Sequence, residues 1–256
     1  MENNSKYFCS IIIATYNSAS TIKECLWSIK KQTFQNFEII IVDNQSKDKT
    51  INIIKSFNFK NIKIIIEQDS GIYDAINKGI KKSKGKVISI LHSDDVYFDN
   101  KVLYRLNKFF IKFNTEIIYG NLIYVKKDNI NKKIRVWKPG TCEKNSFFAG
   151  WNPPHPSFFV KRTTYVKKGL YKINIGNAAD IELMYRYLIK KKITKTYVDS
   201  FFIKMRYGGK SNKNLTSILG QNIQILKILK IEKNIVKIVY FLILKIFNRS
   251  MQFLKA

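Results

Sequence analysis

The segment Phe8-Cys-Ser-Ile-Ile-Ile-Ala-Thr-Tyr-Asn17 joins an apolar, largely β-branched run to a polar Thr-Tyr-Asn end. Its apolar part, Phe8–Ala14, has the length of one strand and is bounded by polar residues. Similar runs follow at Phe37–Val42, Ile62–Ile66 and Val87–Leu91. Continuous apolar runs of this length are typical of strands in a parallel sheet that is covered on both faces.

Helical spacing of apolar residues marks the segments between and after these runs, at Thr21–Lys31, Lys49–Phe57, Tyr73–Lys82 and Asn100–Phe113. Strands that alternate with helices indicate βαβ units, so the N-terminal half is predicted to be an open α/β sheet. From about Glu116 the alternation ends. The pattern then predicts an antiparallel hairpin with a strand at Ile117–Val125, a turn at Lys126–Lys133 and a strand at Ile134–Lys138.

The composition bounds the class of protein without choosing its partner. A chain of 256 residues with 45% hydrophobic content can bury one sizeable core. Its formal net charge of +28 implies an anionic partner, which nucleic acid, acidic lipid or a phosphorylated substrate would each satisfy. The alternative is that much of the charge reflects an AT-rich coding sequence, which would also produce the abundance of Lys, Ile and Asn.

The cysteines and the N-terminus indicate a reducing compartment. Cys9, Cys25 and Cys142 are odd in number and share no CxxC spacing, so neither a disulfide framework nor a zinc site is indicated. The first residues are polar and lack the apolar run of a signal peptide. We therefore expect a cytoplasmic protein.

The composition changes near Asn214, which divides the chain into a predicted domain at 1–213 and a tail at 214–256. The apolar run Ile235–Phe247 is interrupted by Lys237 and Lys245 and is too short to cross a bilayer, which takes about 20 apolar residues. The pattern predicts a basic amphipathic helix on an anionic membrane surface. The alternative is a helix that packs on the domain or forms an oligomer.

Acidic and amide residues follow each predicted strand. In an open parallel sheet, ligands bind beyond the carboxyl ends of the strands, and here those positions hold Asn17, Asp43, Asp69 and the pair Asp94-Asp95. Adjacent carboxylates repel unless a cation or hydrogen-bond donors compensate them, and Mg²⁺ or Mn²⁺ prefers a few carboxylates together with substrate phosphates. No G-x-G-x-x-G or P-loop motif is present, so an aspartate-held metal is the predicted partner of a diphosphate.

Four motifs taken together resemble the family 2 glycosyltransferases: Ser10-Ile-Ile-Ile-Ala-Thr-Tyr-Asn17, Val42-Asp-Asn-Gln-Ser-Lys-Asp-Lys-Thr50, Gly71-Ile-Tyr-Asp-Ala-Ile-Asn-Lys-Gly79 and Leu91-His-Ser-Asp-Asp95. The resemblance covers about residues 8 to 211. It implies a GT-A fold, an α/β architecture with an open, mixed, mostly parallel sheet flanked by helices, followed here by C-terminal amphipathic helices. It also implies inversion at the transferred sugar, as in enzymes that build bacterial O-antigen, capsule and exopolysaccharide.

Position by position, the resemblance assigns expected roles to these residues. The nucleotide-binding residues are Thr15, Tyr16, Asn17, Asp43, Asp69 and Asp94, and the metal contact is Asp95. The donor sugar and diphosphate are expected to meet Tyr73, Asp74, Lys78, Arg206 and Lys210. In the acceptor half, Asp180 matches the catalytic base, and His155 is either an acceptor contact or a structural residue. Independently of the resemblance, the place of Trp151 in a Gly/Pro-rich loop predicts that it stacks on the acceptor.

The resulting hypothesis is a single displacement in which Asp180 takes the proton of an acceptor hydroxyl and the metal, Mn²⁺ or Mg²⁺, stabilises the leaving nucleoside diphosphate. The expected donor is a uridine diphosphate sugar. The expected acceptor is a glycan on undecaprenyl diphosphate at the inner face of the cytoplasmic membrane.

Three rival hypotheses remain open from the sequence. The same fold can transfer sugar directly to a polyprenyl phosphate, which would yield a lipid monophosphate sugar. A sugar nucleotidyltransferase would release pyrophosphate, although the sequence lacks a glycine-rich activating loop near its start. A non-enzymatic nucleic-acid or membrane binder would account for the net charge, but acidic strand ends would repel phosphates, so nucleic acid is not an expected partner.

Overall fold

A computed structural model of the chain describes residues 5–191, 193–208 and 215–254. The strands are β1 (Tyr7–Thr15), β2 (Phe37–Asp43), β3 (Ile62–Ile66), β4 (Gly85–Ile90), β5 (Val96–Tyr97), β6 (Ile117–Val125), β7 (Lys133–Trp137), β8 (Phe158–Lys161) and β9 (Lys195–Arg206). The helices are α1 (Ile22–Lys30), α2 (Thr50–Ser56), α3 (Ile72–Lys82), α4 (Val102–Phe113), α5 (Arg162–Lys168), α6 (Ala179–Tyr185), α7 (Leu215–Leu229) and α8 (Ile235–Leu254).

The N-terminal half confirms the predicted βαβ units. Strands β3, β2, β1 and β4 lie side by side in that order and are parallel throughout. Every residue of β2 is buried, as expected for a strand that helices cover on both faces.

The second half extends the same sheet with strands of mixed direction. Strand β8 pairs antiparallel with β4 and with β6, which in turn pairs antiparallel with β7 in the predicted hairpin. Strand β9 runs parallel to β6 and carries the short β5 on its outer edge. The sequence patterns did not predict β8, which joins the hairpin to the N-terminal sheet, or β9, which extends the sheet on the other side of β6.

The sheet separates two hydrophobic clusters because side chains alternate along each strand. Ile11 and Ile13 of β1 point into a cluster that packs α1, α2 and α4 against one face. Ile12 points into a second cluster, which packs α3, α5, α6, α7 and α8 against the other face. The predicted domain boundary at 213/214 falls outside the described residues.

Gly85 allows β4 to approach β1 closely. Its N–H donates to Ser10 Oγ at 2.8 Å, and the same hydroxyl donates to Glu38 Oε1 of β2 at 2.6 Å. A Cβ atom at position 85 would lie 2.5 Å from the Ser10 backbone nitrogen. Since a backbone atom in a paired strand cannot move aside, a side chain at this position would disturb the pairing that aligns the strand ends.

We therefore expect Gly85→Ala to lower the free energy of unfolding by about 1–3 kcal/mol, the usual cost of overpacking a core. Gly220→Ala in α7 is the matched control, because nothing lies within 4 Å of its added Cβ and alanine favours a helix by up to about 1 kcal/mol over glycine. Urea unfolding measures both. Equal stability of the Gly85 variant and the wild type would contradict the close approach.

Candidate active site

The carboxyl ends of β1 and β2 are joined by hydrogen bonds around Asp43. Its carboxylate is fully buried and accepts the Thr15 hydroxyl at 2.7 Å, the Ser46 N–H at 2.7 Å and the Ser46 hydroxyl at 2.6 Å. Asn17 joins this network, since its N–H donates to Ser46 Oγ at 2.8 Å and its Oδ1 accepts the Lys47 N–H at 2.9 Å. The structure thus brings together Thr15, Asn17 and Asp43, three of the predicted nucleotide-binding residues. Their contact with a nucleotide base stays a prediction.

Tyr16 follows Thr15 at the same edge, and its ring is 48% exposed. A half-exposed aromatic ring beside a polar loop has the surface that a nucleotide base needs for stacking. That role remains a prediction.

Asp69 lies at the next strand end and is linked to β2 by Asn44. The Asn44 Oδ1 accepts the Asp69 N–H at 3.0 Å, and Asp69 Oδ1 accepts the Gly71 N–H at 2.9 Å. Burial raises the pKa of Asp69 above its ordinary value. Gly71 has φ +131°, a conformation that L side chains rarely adopt, and it starts α3 at this turn.

Asp74 and Lys78 lie on the first turns of α3 and contact each other. Asp74 Oδ2 accepts the Ser70 N–H at 3.1 Å and lies 3.5 Å from the Lys78 ammonium. Lys78 also lies 3.3 Å from Glu67 and donates to the Gln68 carbonyl. In this arrangement Lys78 is held by acidic neighbours, and its predicted contact with a phosphate requires an exchange of partners.

Asp95 lies between β4 and β5, immediately before β5, and is fully buried. Burial raises the pKa of this carboxyl well above its ordinary range, and the neighbouring Asp94 raises it further. One oxygen, Oδ1, accepts the Arg206 N–H at 3.3 Å, whereas Oδ2 has no hydrogen-bond partner. A buried acceptor without a partner is costly, and a bound cation would satisfy it.

The donor set around Asp95 fits a metal that takes most of its ligands from substrate. Among the described residues there is no group of three or more His, Cys, Asp or Glu side chains that could hold a metal by themselves. Mg²⁺ and Mn²⁺ sites that act on phosphates commonly use one or two carboxylates and complete their shell with phosphate oxygens and water. Asp94 and Asp95 suit a site of this kind.

Arg206 is the last residue of β9 and donates hydrogen bonds to both residues of the predicted metal motif, Asp94 and Asp95. Its Nη1 donates to the Asp94 carbonyl at 2.8 Å, its Nε donates to the Lys127 carbonyl at 2.9 Å, and its Nη2 pairs with Glu24. The side chain is buried. All three nitrogens are therefore engaged by the protein, and the predicted contact of Arg206 with a diphosphate remains a prediction. Lys210, the companion in that prediction, lies outside the described residues.

Asp180 lies at the start of α6 in the acceptor half. Burial raises the pKa of its carboxyl to about 6, against the lowering effect of hydrogen bonds from the Ile181 N–H and the Tyr73 hydroxyl. This value places the change of charge near neutral pH, where a general base is most effective. The structure thus makes Tyr73, predicted as a donor-sugar residue, a direct partner of the predicted base.

A chain of aromatic contacts connects Asp180 with the metal motif. The Tyr73 ring centroid lies 6.2 Å from that of His155, which lies 5.7 Å from that of His92. Burial lowers the pKa of His92, and the nearby Asp94 opposes this shift. The predicted base and the predicted metal motif, 86 positions apart in the sequence, are therefore linked by packed side chains.

His155 is buried and neutral in this arrangement. Burial, and then the proximity of His92, lowers the pKa of His155 to about 3, and its Nε2 shares a hydrogen bond of 2.8 Å with the Tyr171 hydroxyl. These contacts support the structural alternative for His155. An acceptor contact stays a prediction.

Tyr171 and Asn77 lie beside the predicted site residue Tyr73, and the sequence patterns did not assign either of them. The Tyr171 ring stacks on Tyr73 at 5.4 Å, and its backbone exchanges two hydrogen bonds with the Asn77 side chain, at 2.9 and 3.0 Å. Asn77 lies on α3, so it ties the donor side of the site to the acceptor side. Its place in the Gly71–Gly79 motif was the available signal.

Trp151 lies in the loop before β8, which together with Ile181 of α6 forms the predicted contact surface for the acceptor, called the acceptor wall below. Its indole N–H donates to the Pro139 carbonyl at 2.6 Å, and its ring meets Phe147 edge to face at 5.5 Å. A small cavity beside it is lined by Ile181 of α6 and by Lys245 of α8. Trp151 is half-buried, and its stacking on an acceptor stays a prediction.

Comparison with known proteins decides the family. A family model described as Glycosyl transferase family 2 matches residues 10–168, more than half of the chain. The chain belongs to glycosyl transferase family 2. The matched range contains the four strand-end motifs, so the resemblance seen in the sequence is confirmed.

Curated relatives carry the same family name. The chain is 30% identical over 209 residues to an uncharacterized glycosyltransferase of Rickettsia typhi, and the aligned region covers 77% of this chain and 63% of that protein. It is 28% identical over 209 residues to a PGL/p-HBAD biosynthesis glycosyltransferase of Mycobacterium tuberculosis, which covers 79% of this chain and 78% of that protein. The chain thus spans less than two thirds of the Rickettsia typhi relative.

Solved structures share the GT-A fold. The crystal structure of S. aureus TarS 1–349 has a TM-score of 0.63 and 17% identity, with 96% of this chain and 72% of that chain covered. The mannosyltransferase PcManGT from Pyrobaculum calidifontis, in complex with GDP-Man and Mn²⁺, has a TM-score of 0.62 and 16% identity over 94% of this chain and 69% of that one. At these identities the likeness shows the fold alone.

The raised pKa of Asp180 predicts a pH-dependent cost to stability. The unfolded carboxyl loses its proton near 3.8 and the folded one near about 6, so between these values the folded state binds more protons and loses stability as the pH rises. Two pKa units correspond to roughly 3 kcal/mol. We expect Asp180→Asn to raise the free energy of unfolding by about 1–3 kcal/mol at pH 7.5, and by much less at pH 4.

Asp48→Asn is the control of opposite sign. Slight desolvation raises the pKa of Asp48, but hydrogen bonds from Thr50 and Ala19 outweigh it and hold the pKa below its ordinary value. This substitution should therefore lower stability slightly at pH 7.5. Chemical unfolding at the two pH values measures both variants, and a pH-independent effect of Asp180→Asn would contradict its raised pKa.

Proposed function

We propose that this chain is an inverting glycosyltransferase that moves a sugar from a nucleoside diphosphate sugar to a hydroxyl of a lipid-linked glycan at a membrane surface. The observation that carries the proposal is the continuous set of contacts from Asp180 through Tyr73, His155 and His92 to the Asp94 side. In this proposal the carboxylate of raised pKa and the carboxylate pair suited to a diphosphate serve the same reaction.

Each side of this site suits one substrate. The network around Asp43 and the exposed ring of Tyr16 offer polar and stacking contacts for a nucleoside at the ends of β1 and β2. The TarS and PcManGT structures with UDP-GlcNAc and with GDP-Man and Mn²⁺ support a nucleotide sugar donor. Trp151 and α6 border the opposite side, where an acceptor sugar would meet Asp180.

The chemistry assigned to Asp180 follows from its surroundings. With a pKa of about 6, the carboxyl is mostly ionised at neutral pH and is basic enough to take a proton from an attacking hydroxyl. The Tyr73 hydroxyl donates to the carboxylate and fixes its orientation. Attack from this side, opposite the departing diphosphate, inverts the configuration of the transferred carbon.

Asp94 and Asp95 are the residues that would hold the divalent metal, with Asp95 Oδ2 as the unsatisfied oxygen. When bound, such an ion supplies positive charge to the departing diphosphate. Arg206 orders this corner by bridging α1, the metal motif and the turn after β6.

The outer face of α8 supports a membrane surface as the place of action. Its large apolar side chains there are between 46% and 74% exposed, and they are Ile235, Val236, Val239, Tyr240, Ile243, Ile246 and Phe247. An exposed apolar face of this size calls for a partner. The chain carries a net charge of +28, and α8 itself has no acidic residue, so an anionic bilayer is the complementary occupant.

In the part of the chain that the structure describes, no helix combines the length and apolarity needed to cross a bilayer. The proposed association is therefore one in which α8 lies in the plane of the surface.

The enzymatic proposal predicts a specific phenotype for Asp180→Asn. An amide cannot take the acceptor proton, so turnover should fall by roughly 10² or more while donor affinity stays near wild type. The assay screens nucleotide sugars by thermal shift with Mn²⁺, then measures transfer to lipid-linked acceptors and determines the configuration of the new linkage by NMR.

Two outcomes of this assay would contradict the proposal. Near-normal turnover of Asp180→Asn would remove its role as the base, and retained configuration would exclude a single displacement. Excess chelator serves as the test of the metal, because transfer at full rate in its presence would remove the ion from the reaction.

The membrane proposal predicts that Ile243→Glu combined with Ile246→Glu weakens binding to phosphatidylglycerol vesicles by about tenfold or more, since two half-inserted apolar side chains are lost. The double variant Ile111→Glu and Val166→Glu makes the same charge change at exposed positions outside α8 and should bind nearly as well as the wild type. Cosedimentation measures binding, which should also weaken with salt. Equal loss in both double variants would show a charge effect without insertion.

A further inference from the structure

The inner face of α8 presents two cations toward the acceptor half. Lys245, Arg249 and Phe253 are spaced by four residues, so they lie on one face of the helix. Lys245 packs on Gly150, where an added Cβ would lie 2.6 Å from the lysine Cβ. The ring centroid of Phe253 lies 5.4 Å from the guanidinium carbon of Arg135 on β7. Arg249, one turn from each, therefore faces the domain between these two contacts.

Arg135 is a buried cation with missing partners. Its side chain is 4% exposed, and the guanidinium carbon lies 3.8 Å from the Tyr124 ring centroid and 5.8 Å from that of Trp137. Its Nε and Nη1 atoms are buried and have no hydrogen-bond partner. Burial lowers the pKa of Arg135, and the nearby Arg249 acts in the same direction. A buried guanidinium whose N–H groups have no acceptor lowers the stability of the fold.

Lys245 is compensated only in part. Its ammonium donates to Asn222 Oδ1 at 2.6 Å and lies 5.4 Å from the Phe241 ring centroid. Burial, followed by the repulsion of Arg249, lowers the pKa of Lys245 to about 8, and Asp180 attracts it with a smaller effect. This attraction does not amount to an ion pair within 4.0 Å.

The three cations lack an anion. None of the ion pairs found in the described ranges includes Lys245, Arg249 or Arg135. The sequence has no Asp or Glu after Glu232, so the rest of α8 cannot supply one. Like charges on adjacent helical turns are unfavourable, and the unpartnered guanidinium adds to that cost. An anionic ligand would relieve both.

We propose that Lys245, Arg249 and Arg135 form a subsite between α8 and β7 that binds the phosphate groups of a diphosphate. Guanidinium groups match phosphate oxygens in pairs, and an ammonium adds a third point of charge. The proposal rests on the proposed function, whose reaction involves two possible sources of a diphosphate. These are the nucleoside diphosphate of the donor and the lipid diphosphate of the acceptor.

The position of the subsite is consistent with both sources. At one end, Lys245 lines the small cavity shared by Trp151 and Ile181 on the acceptor wall. At the other end, the Tyr124 ring lies against Arg135, and the pKa of the Tyr124 hydroxyl responds to Arg249 and to Asp95 of the metal motif, although burial dominates it. Lys245 thus lies beside Trp151 and Ile181, and Arg135 lies beside the Tyr124 ring of β6.

The test uses the full chain and inorganic pyrophosphate, with chelator present so that binding does not depend on a metal. Isothermal titration should show that Arg249→Gln weakens pyrophosphate binding by fivefold or more, and that Arg249→Lys recovers part of the loss. Lys237→Gln is the matched control, because it removes a cation from the exposed face of the same helix, and its affinity should stay within twofold of wild type.

A second set of titrations separates the two sources. A loss confined to uridine diphosphate in Arg249→Gln would assign the subsite to the donor, and a loss confined to farnesyl diphosphate in detergent micelles would assign it to the acceptor. Lys245→Gln repeats the measurement if Arg249→Gln fails to fold. Pyrophosphate affinity equal to that of Lys237→Gln in the folded variants would overturn the proposal. Wild-type protein that binds pyrophosphate yet transfers no sugar would instead refute the proposed function.

Discussion

The parallel pairing of β1 with β2 and with β4 is the constraint on which the rest of the structure depends. In this register Thr15 pairs with Asp43, and Ile12 pairs with Ile90 four residues before Asp94. The carboxyl ends of three strands consequently open at one edge, where their polar side chains meet. A slip of one residue would turn each strand over and remove the site, and Gly85 permits the approach that keeps this register.

Electrostatic compensation explains much of the local geometry around the site. The chain has few carboxylates for its many cations, yet Asp43, Asp94 and Asp95 gather at the strand ends. Asp43 is satisfied by hydroxyl and backbone donors, whereas Asp95 retains an unsatisfied oxygen. Asp43 therefore joins the ends of β1 and β2 through its hydrogen bonds, whereas Asp95 has an oxygen that is suited to a cation. Arg206 brings a positive charge next to Asp94 and Asp95, but its side chain binds two carbonyl oxygens and Glu24. The Asp95 Oδ2 atom therefore stays without a hydrogen-bond partner.

One face of α8 packs on the domain, and the other face is apolar and exposed. Phe241 is buried in the same hydrophobic cluster as α6 and α7, and Asn248 donates to the Ala149 carbonyl of the acceptor loop. The other face is apolar and exposed. The helix therefore packs on the domain, as one of the two sequence-based alternatives predicts, while its association with a bilayer is a proposal that rests on the exposed face. An acceptor carried by a lipid would meet the site and the membrane together.

The sequence by itself determined the N-terminal sheet, the hairpin and the family, because runs such as Phe37–Val42 and the motif ending in Asp95 carry their structure and chemistry locally. Strand β9 was missed because polar residues such as Asp199 interrupt its pattern, and its pairing with β6 depends on residues far away in the chain. Only the tertiary structure placed Tyr73 on Asp180 and Arg135 beneath α8. Contacts of this kind arise where separate elements pack, and packing across the whole fold leaves no periodic signal in a single segment.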